Sequence, residues 1–262
     1  MIDFPLNSNV AMEEIQIEDI PGYCFRPKNL ATPYPSIVFY HGWQSNAQRQ
    51  RFRAGLLASF GYQVFIVDGP FHGQRGAIAD TPENVAAYFW RTVDLEVDEF
   101  QLLRKAIVHQ YGANPEGLAV MGHSMGALIS LALMTVYPDI VCSVAYNGAS
   151  DWQWLEDNMA SRWHTTMTAI RERRASLGDI SYYSSRYNPW QDRKKLLERP
   201  LLLTNGEEDK TIPYAANLRL ADYLKQHNTD SDYFHHEIYE GVGHLVTDRM
   251  LADGISFLKR HL

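Results

Sequence analysis

The chain predicts an α/β fold, a mainly parallel sheet with helices on both faces. Two observations carry this. Short, nearly continuous apolar runs such as Ser36–Tyr40, Tyr62–Asp68 and Leu118–Met121 have the look of strands buried on both faces, which requires helices on each side. Stretches of helical length lie between them, so strand and helix alternate in the rhythm of a parallel sheet. At 262 residues the chain is long enough for one large core and short for two independent domains.

The elements follow in order. Glu14–Glu18 alternates polar and apolar residues, as a strand with one wet face does. Pro21-Gly22 is a turn signal, and Tyr23–Phe25 returns as a second strand. Ser36–Tyr40 is a buried strand ending in His41-Gly42-Trp43, and Asn46–Phe60 fits a helix that Gly61 ends before the strand Tyr62–Asp68. After the loop Gly69–Gly76, Thr81 reads as an N-cap with Pro82 at N1 and Glu83 in the first turn, opening a helix to Tyr111 in which a break is open. Gly117–Met121 is a strand, Ala127–Val136 a helix and Ile140–Tyr146 a strand. Asp151–Arg199 interrupts the rhythm and reads as a helical, cap-like insertion with a loop near Tyr182–Pro189. A strand at Pro200–Asn205, a helix at Pro213–Gln226, a strand at Phe234–Tyr239 and a helix at Val246–Leu262 complete the chain. With no internal repeat and no flexible linker, residues 1–262 read as a single domain.

Hydrophobic content of 45% and charged content of 21% are ordinary for a soluble protein. A net charge of −7 argues against non-specific binding to nucleic acid or to an anionic membrane. Cys24 and Cys142 leave one disulfide formally open but make no disulfide framework. The first residues, Met1-Ile2-Asp3-Phe4-Pro5, lack the basic and apolar regions of a signal peptide, and no stretch approaches a membrane span, so a cytoplasmic location is expected.

The chemistry centres on Gly122-His123-Ser124-Met125-Gly126, which sits between a strand and a helix. A strand that turns sharply into a helix exposes the residue at the bend, and the glycines leave room for that turn. A serine held there attacks a carbonyl if a histidine base reaches it and N–H groups await the oxyanion. Alone, the pentapeptide could equally be a glycine-rich turn with an incidental serine. His244, in Glu240-Gly241-Val242-Gly243-His244 after the last strand, is the expected base, against the plainer reading of a surface or helix-capping histidine. Asp209, after the strand Leu201–Thr204, is the expected acid, with Glu207 and Glu208 close by and Asp151 as a rival beyond another strand. Ser124, Asp209 and His244 stand in a chain order that separates one class of serine triad from the others. The expected oxyanion donors are the N–H groups of Met125, at a helix start, and Trp43, in the loop after an early strand.

His41, Asp68, His72 and Arg75 are expected to support loops by hydrogen bonds and an ion pair. His41, Asp68, His72 and His123 are rich in metal-ligand types, but no compact metal spacing is present, and no phosphate loop or dinucleotide fingerprint occurs. Trp152, Trp154, Trp163 and Trp190 lie in the insertion; they either pack it onto the domain or roof an acyl pocket, and Trp152, Trp154 and Trp163 are the expected pocket residues.

On these residues the chain resembles the α/β-hydrolases over essentially its whole length. More closely, it resembles small bacterial esterases related to the prolyl oligopeptidase catalytic domain and to dienelactone hydrolases. The narrower likeness lies in Phe39-Tyr40-His41-Gly42-Trp43, in Phe71-His72-Gly73-Gln74-Arg75-Gly76, and in Phe89-Trp90 with Glu96 downstream. The resemblance implies a central, mostly parallel sheet of about eight strands, two-step acyl transfer at Ser124 with His244 as base and then acid, Asp209 as orienting acid, and no cofactor. The chain departs from prolyl oligopeptidases in having no propeller ahead of the His41 strand, and from dienelactone hydrolases in carrying serine where they carry cysteine. The expected substrate is a small ester of short to medium acyl chain, with thioester cleavage or an aminopeptidase or acylpeptidase activity as alternatives on the same triad. A non-catalytic binding protein on this fold is the alternative of another class. Nucleic acid and membrane are not expected partners, and a homo-oligomer stays open.

Overall fold

The computed structural model describes residues 8–162 and 186–262. β1 (Val10–Ile17) and β2 (Ile20–Pro27) form an antiparallel hairpin. The other strands are β3 (Tyr34–Tyr40), β4 (Gln63–Val67), β5 (Ala113–His123), β6 (Cys142–Tyr146), β7 (Leu201–Gly206) and β8 (Phe234–Tyr239). The helices are α1 (Ala47–Ser59), α2 (Pro82–Tyr111), α3 (Met125–Val136), α4 (Trp152–Arg162), α5 (Leu218–His227) and α6 (Asp248–His261). All eight strands join one sheet in the order β1-β2-β4-β3-β5-β6-β7-β8, with β2 antiparallel to β1 and β4 and every other pair parallel. This is the α/β-hydrolase fold.

Two apolar layers explain the arrangement. On one face α2, α3, α4 and α5 pack through Val93, Phe100, Leu128, Leu131, Trp152 and Leu220. On the other, α1 and α6 pack through Leu57, Ala58, Met250 and Phe257. α3 is buried from Met125 to Thr135, which suits a helix that is apolar on every side, and truncating one of its leucines to alanine would destabilise the fold by about 2–5 kcal/mol. The chain passes from β3 to β4 on one side, and the next crossover carries it from β4 back past β3 to β5 on the other. Parallel sheets bind ligands at the carboxyl ends of strands where the order reverses, and here β3 and β5 end in Tyr40 and His123, next to the turn residues Gly42 and Ser124.

α2 spans the expected Pro82–Tyr111 unbroken, capped by the Thr81 hydroxyl accepting from Asn84 N and closed by Gly112 at φ +72. The elements depart from the sequence expectations at three places. Pro21-Gly22, read as a turn, lies inside β2, and the hairpin turns at Glu18-Asp19 instead. The helix expected from Pro213 begins as a 3-10 turn, Tyr214–Asn217, before α5. The Asn217 side chain is spent elsewhere: it donates to Gly148 O at 2.8 Å and Asn205 Oδ1 at 2.9 Å, and accepts from Ser150 N at 2.8 Å. Of the insertion expected over Asp151–Arg199, α4 is helical, and the described residues from Tyr187 run through turns and a short 3-10 stretch, Arg193–Leu196, in place of an α-helix. Cys24 and Cys142 are both buried free thiols. Among the described residues no helix is long and apolar enough to cross a membrane.

Candidate active site

Ser124 sits between β5 and α3 with φ +59 and ψ −121, a backbone conformation that side chains rarely adopt and that aims its hydroxyl off the sheet edge. The glycines around it are dictated by close approach. A Cβ on Gly122 would run into the Gly126 carbonyl, and one on Gly126 into the Tyr40 carbonyl, so α3 lies directly on the ends of β3 and β5.

The Ser124 hydroxyl donates to His244 Nε2 at 2.8 Å, and His244 Nδ1–H donates to Asp209 Oδ2 at 2.6 Å. A carboxylate on Nδ1 selects the tautomer whose Nε2 is free to accept the serine proton. The Asp209 side chain is fully buried, and its second oxygen accepts the N–H groups of Thr211 and Ile212 at 2.8 and 2.9 Å. Glu207 and Glu208 are exposed. Asp151 is buried, but it caps α4 by accepting from Trp154 N at 3.1 Å and pairs with Arg219 at 2.5 Å. The rival acid is therefore engaged elsewhere.

Gly42 abuts the serine: a Cβ there would lie 3.2 Å from Ser124 Cβ. Trp43 follows in a turn closed by Ser45 N–H donating to Gly42 O at 3.0 Å, with Gln44 at φ +61. Met125 opens α3, where the helix dipole favours an anion. Among the described residues neither the Trp43 nor the Met125 N–H donates to a protein acceptor.

The supporting residues engage backbone around this point. Gly69 N–H donates to His41 Nε2 at 3.0 Å, and His41 Nδ1–H to Gly42 O at 2.9 Å. Asp68 accepts from Ala47 N at 2.7 Å and Gln74 N at 2.8 Å, tying the start of α1 to the His72 loop. His72 Nδ1–H donates to Pro70 O at 2.8 Å, and its ring meets the Trp43 indole edge-on at 4.8 Å. Arg75 makes its close ion pair with Glu99, two bonds of 2.8 and 2.7 Å, while reaching Asp68 only at the carbonyl. Burial lowers the His41 pKa to about 4, and burial with the nearby His244 and Arg53 charges lowers His123 to about 3; both imidazoles are neutral. The His123 ring lies 5.0 Å from that of His244.

Of the expected pocket residues, Trp152 is wholly buried, its indole 5.0 Å from Trp90 and its N–H donating to Ala149 O. It packs the core and does not roof an open cavity. Trp154 is half-buried against the same core, and Trp163 lies outside the described residues. Phe89 and Trp90 of α2 continue an aromatic seam from Trp43 to Trp152, with ring separations of 5.8, 5.1 and 5.0 Å.

Asn147 is the residue that the sequence reading missed. It is wholly buried at φ +49 just beyond β6; its amide donates to Leu245 O at 2.7 Å and its oxygen accepts Gly206 N–H at 2.9 Å. One side chain thus ties the acid's strand to the histidine's loop. The Asn-Gly pair after a buried strand is the only local signal, and it marks a turn, not a bridge.

Residues 48–262 match the model of the prolyl oligopeptidase family. The esterase YjfP of Escherichia coli K12 is 27% identical over 257 residues, covering 97% of this chain and all of the relative. Among solved structures, a puromycin-hydrolysing peptidase of Mycobacterium tuberculosis superposes with a TM-score of 0.72 at 19% identity, over 98% of this chain and 40% of that one. An esterase of Pyrococcus furiosus superposes with a TM-score of 0.62 at 19% identity, over 96% of this chain and 92% of the other. At these identities the two structures speak for the fold alone.

Proposed function

The chain belongs to the prolyl oligopeptidase family, and from that premise we propose a serine hydrolase that cleaves carboxylic esters of short to medium acyl chain through an acyl-enzyme. The observation that carries this is the continuous hydrogen-bonded line Ser124–His244–Asp209, with bonds of 2.8 and 2.6 Å. His244 takes the Ser124 proton as Oγ bonds to the ester carbonyl carbon. The carbonyl oxygen, now an oxyanion, is held by the N–H groups of Met125 and Trp43. Collapse breaks the bond to the alcohol, which leaves with the proton from His244. Water, deprotonated by the same imidazole, attacks the acyl-enzyme; the second tetrahedral species releases the acid and returns the proton to Ser124. Each oxyanion donor contributes about 10²–10³-fold in rate.

Similarity to the esterase YjfP across the full length of both chains favours esters over amides. The substrate in this reading is a small molecule, and the two free thiols accord with a reducing cytoplasm. A panel of p-nitrophenyl esters of graded acyl length, with a thioester and aminoacyl anilides, tests it. Ester turnover that is lost in Ser124→Ala supports the reading. Faster anilide cleavage would make the protein a peptidase, and no Ser124-dependent turnover of any substrate would make it a binding protein on a hydrolase fold.

A further inference from the structure

We propose that Asp80 is a positioning residue for the oxyanion donor Trp43, an inference that rests on the role given to the Trp43 N–H above. The Trp43 indole N–H donates to Asp80 Oδ1 at 3.0 Å. Its ring is fixed on two further sides, by His72 edge-on at 4.8 Å and by Phe89 at 5.8 Å. The next residue, Gln44, is tied to the same strap of chain, its amide donating to Ile78 O at 3.3 Å. Two consecutive residues of the Gly42–Ser45 turn thus grip residues 78–80. The turn needs the grip: Gln44 holds φ +61 without being glycine, a conformation that persists only where its surroundings impose it.

The strap is itself anchored. Ile78 N–H donates to Phe71 O at 3.3 Å, and Asn84 Nδ2 donates to Ala79 O at 2.9 Å. Asp80 stands immediately before Thr81, the N-cap of the 30-residue helix α2. A long packed helix therefore sets the place of the Asp80 carboxylate, the carboxylate sets the indole, and the indole sets the backbone N–H beside Ser124. An oxyanion donor is worth its full effect only when held to within about half an ångström of its place. Asp80 touches neither Ser124 nor His244, so its contribution is to alignment.

The test is steady-state kinetics on p-nitrophenyl butyrate together with inhibition by a trifluoromethyl ketone, whose adduct with Ser124 presents the same oxyanion. Asp80→Ala should lower kcat by about tenfold or more with little change in KM, and weaken the ketone by a similar factor. Asp80→Asn keeps an oxygen acceptor and should restore most of both. Trp43→Phe, which lacks the indole N–H, should match Asp80→Ala, and the double variant should fall no further. A residue with a merely structural role would lower the melting temperature and leave kcat and ketone affinity alone. Wild-type kcat in Asp80→Ala, an Asp80→Asn variant as slow as the alanine, or additive losses in the double variant would each overturn the proposal. Ester turnover that survives Ser124→Ala would instead overturn the functional reading beneath it.

Discussion

Asn147 and Leu245 are joined by a 2.7 Å hydrogen bond across 98 positions of sequence, and that bond ties the histidine loop to the end of β6. The loop is also held by Glu208 N–H donating to Val242 O at 2.9 Å, by Gly206 packed against the Val242 and Gly243 carbonyls, and by His244 itself, but the Asn147 bond is its tie beyond the catalytic histidine, where Leu245 is 52% exposed. Asn147→Ala should reduce kcat by about 10–100-fold, since a small displacement of the base is amplified in the rate. It should also destabilise the fold by about 1–3 kcal/mol, because Gly206 N–H and Leu245 O lose a buried partner. Asn147→Asp keeps the acceptor for Gly206 N–H but sets a carboxylate against the Leu245 carbonyl. It should therefore impair turnover at least as much as alanine. Kinetics and urea denaturation of both variants check this; turnover unchanged in both would show that the loop holds itself.

The two buried aspartates should separate cleanly. Asp209→Asn puts an amide against His244 Nδ1 and favours the wrong tautomer, a change that costs serine hydrolases about 10⁴-fold in kcat. Asp151→Asn disturbs only the α4 cap and the Arg219 pair, and should leave kcat within a few-fold of wild type. Equal losses in the two variants would mean that Asp151 serves the site through α4.

Glu96 makes stability fall as the solution becomes alkaline. Its carboxyl lies in the core below Gly69 with neither oxygen hydrogen-bonded, and burial, aided by the Glu99 and Asp68 charges and opposed by Arg75, pushes its pKa well above the ordinary 4.5. Tyr40, beside it, is likewise buried with an unpaired hydroxyl. The folded chain keeps the proton over a range in which the unfolded chain has released it, so unfolding releases a proton and stability declines with rising pH from 4.5 up to the raised pKa. Glu96→Gln removes that slope. Urea midpoints between pH 6 and 9 should fall less for the variant than for the wild type; parallel curves would show that Glu96 is ionised in the fold.

His41 and His123 act on the acid side. With folded pKa values near 4 and 3 against an unfolded value of 6.5, both are neutral in the fold while the unfolded chain protonates. Their effect is absent above pH 6.5 and grows as pH falls below it, at up to about 1.4 kcal/mol per pH unit for each. His123→Phe keeps the ring, removes the titrating group and should flatten the acid slope by one histidine's share in denaturation measured from pH 7 to 5.

Legibility in the sequence tracks how local the determinants are. The bend at Ser124 was readable because apolar strand, glycine pair and apolar helix are contiguous, and the order Ser124, Asp209, His244 follows from strands that can be counted. α2 carries no proline or glycine after its first position, so nothing in it dictates a break. What escaped was made by side chains that bridge distant loops: Asn147 to Gly206 and Leu245, Asp80 to Trp43, Arg75 to Glu99. Such partners depend on how three loops stack at one end of the sheet, which no periodicity encodes. The tryptophans of the insertion show the same limit, since an aromatic residue that fills a core and one that roofs a pocket look alike in sequence.

The aromatic seam should set acyl preference. Trp43, Phe89, Trp90 and Trp152 run in ring contact from the turn beside Ser124 into the core, and the innermost is fully buried. An acyl chain directed beneath the oxyanion turn would meet these rings. Each methylene that finds apolar contact adds about 0.8 kcal/mol, and a chain that meets the rings stops gaining. kcat/KM should therefore rise from acetyl to butyryl esters and fall by octanoyl. Phe89 is the ring to truncate, because it is only partly buried and touches both Trp43 and Trp90, whereas removing Trp152 would open the core at about 3–5 kcal/mol. Phe89→Ala should move the optimum toward hexanoyl or octanoyl while acetyl esters lose affinity. An optimum that stays put in the variant would mean that the acyl chain leaves Ser124 in another direction, and a wild-type maximum at palmitoyl would mean that the seam does not limit the chain at all.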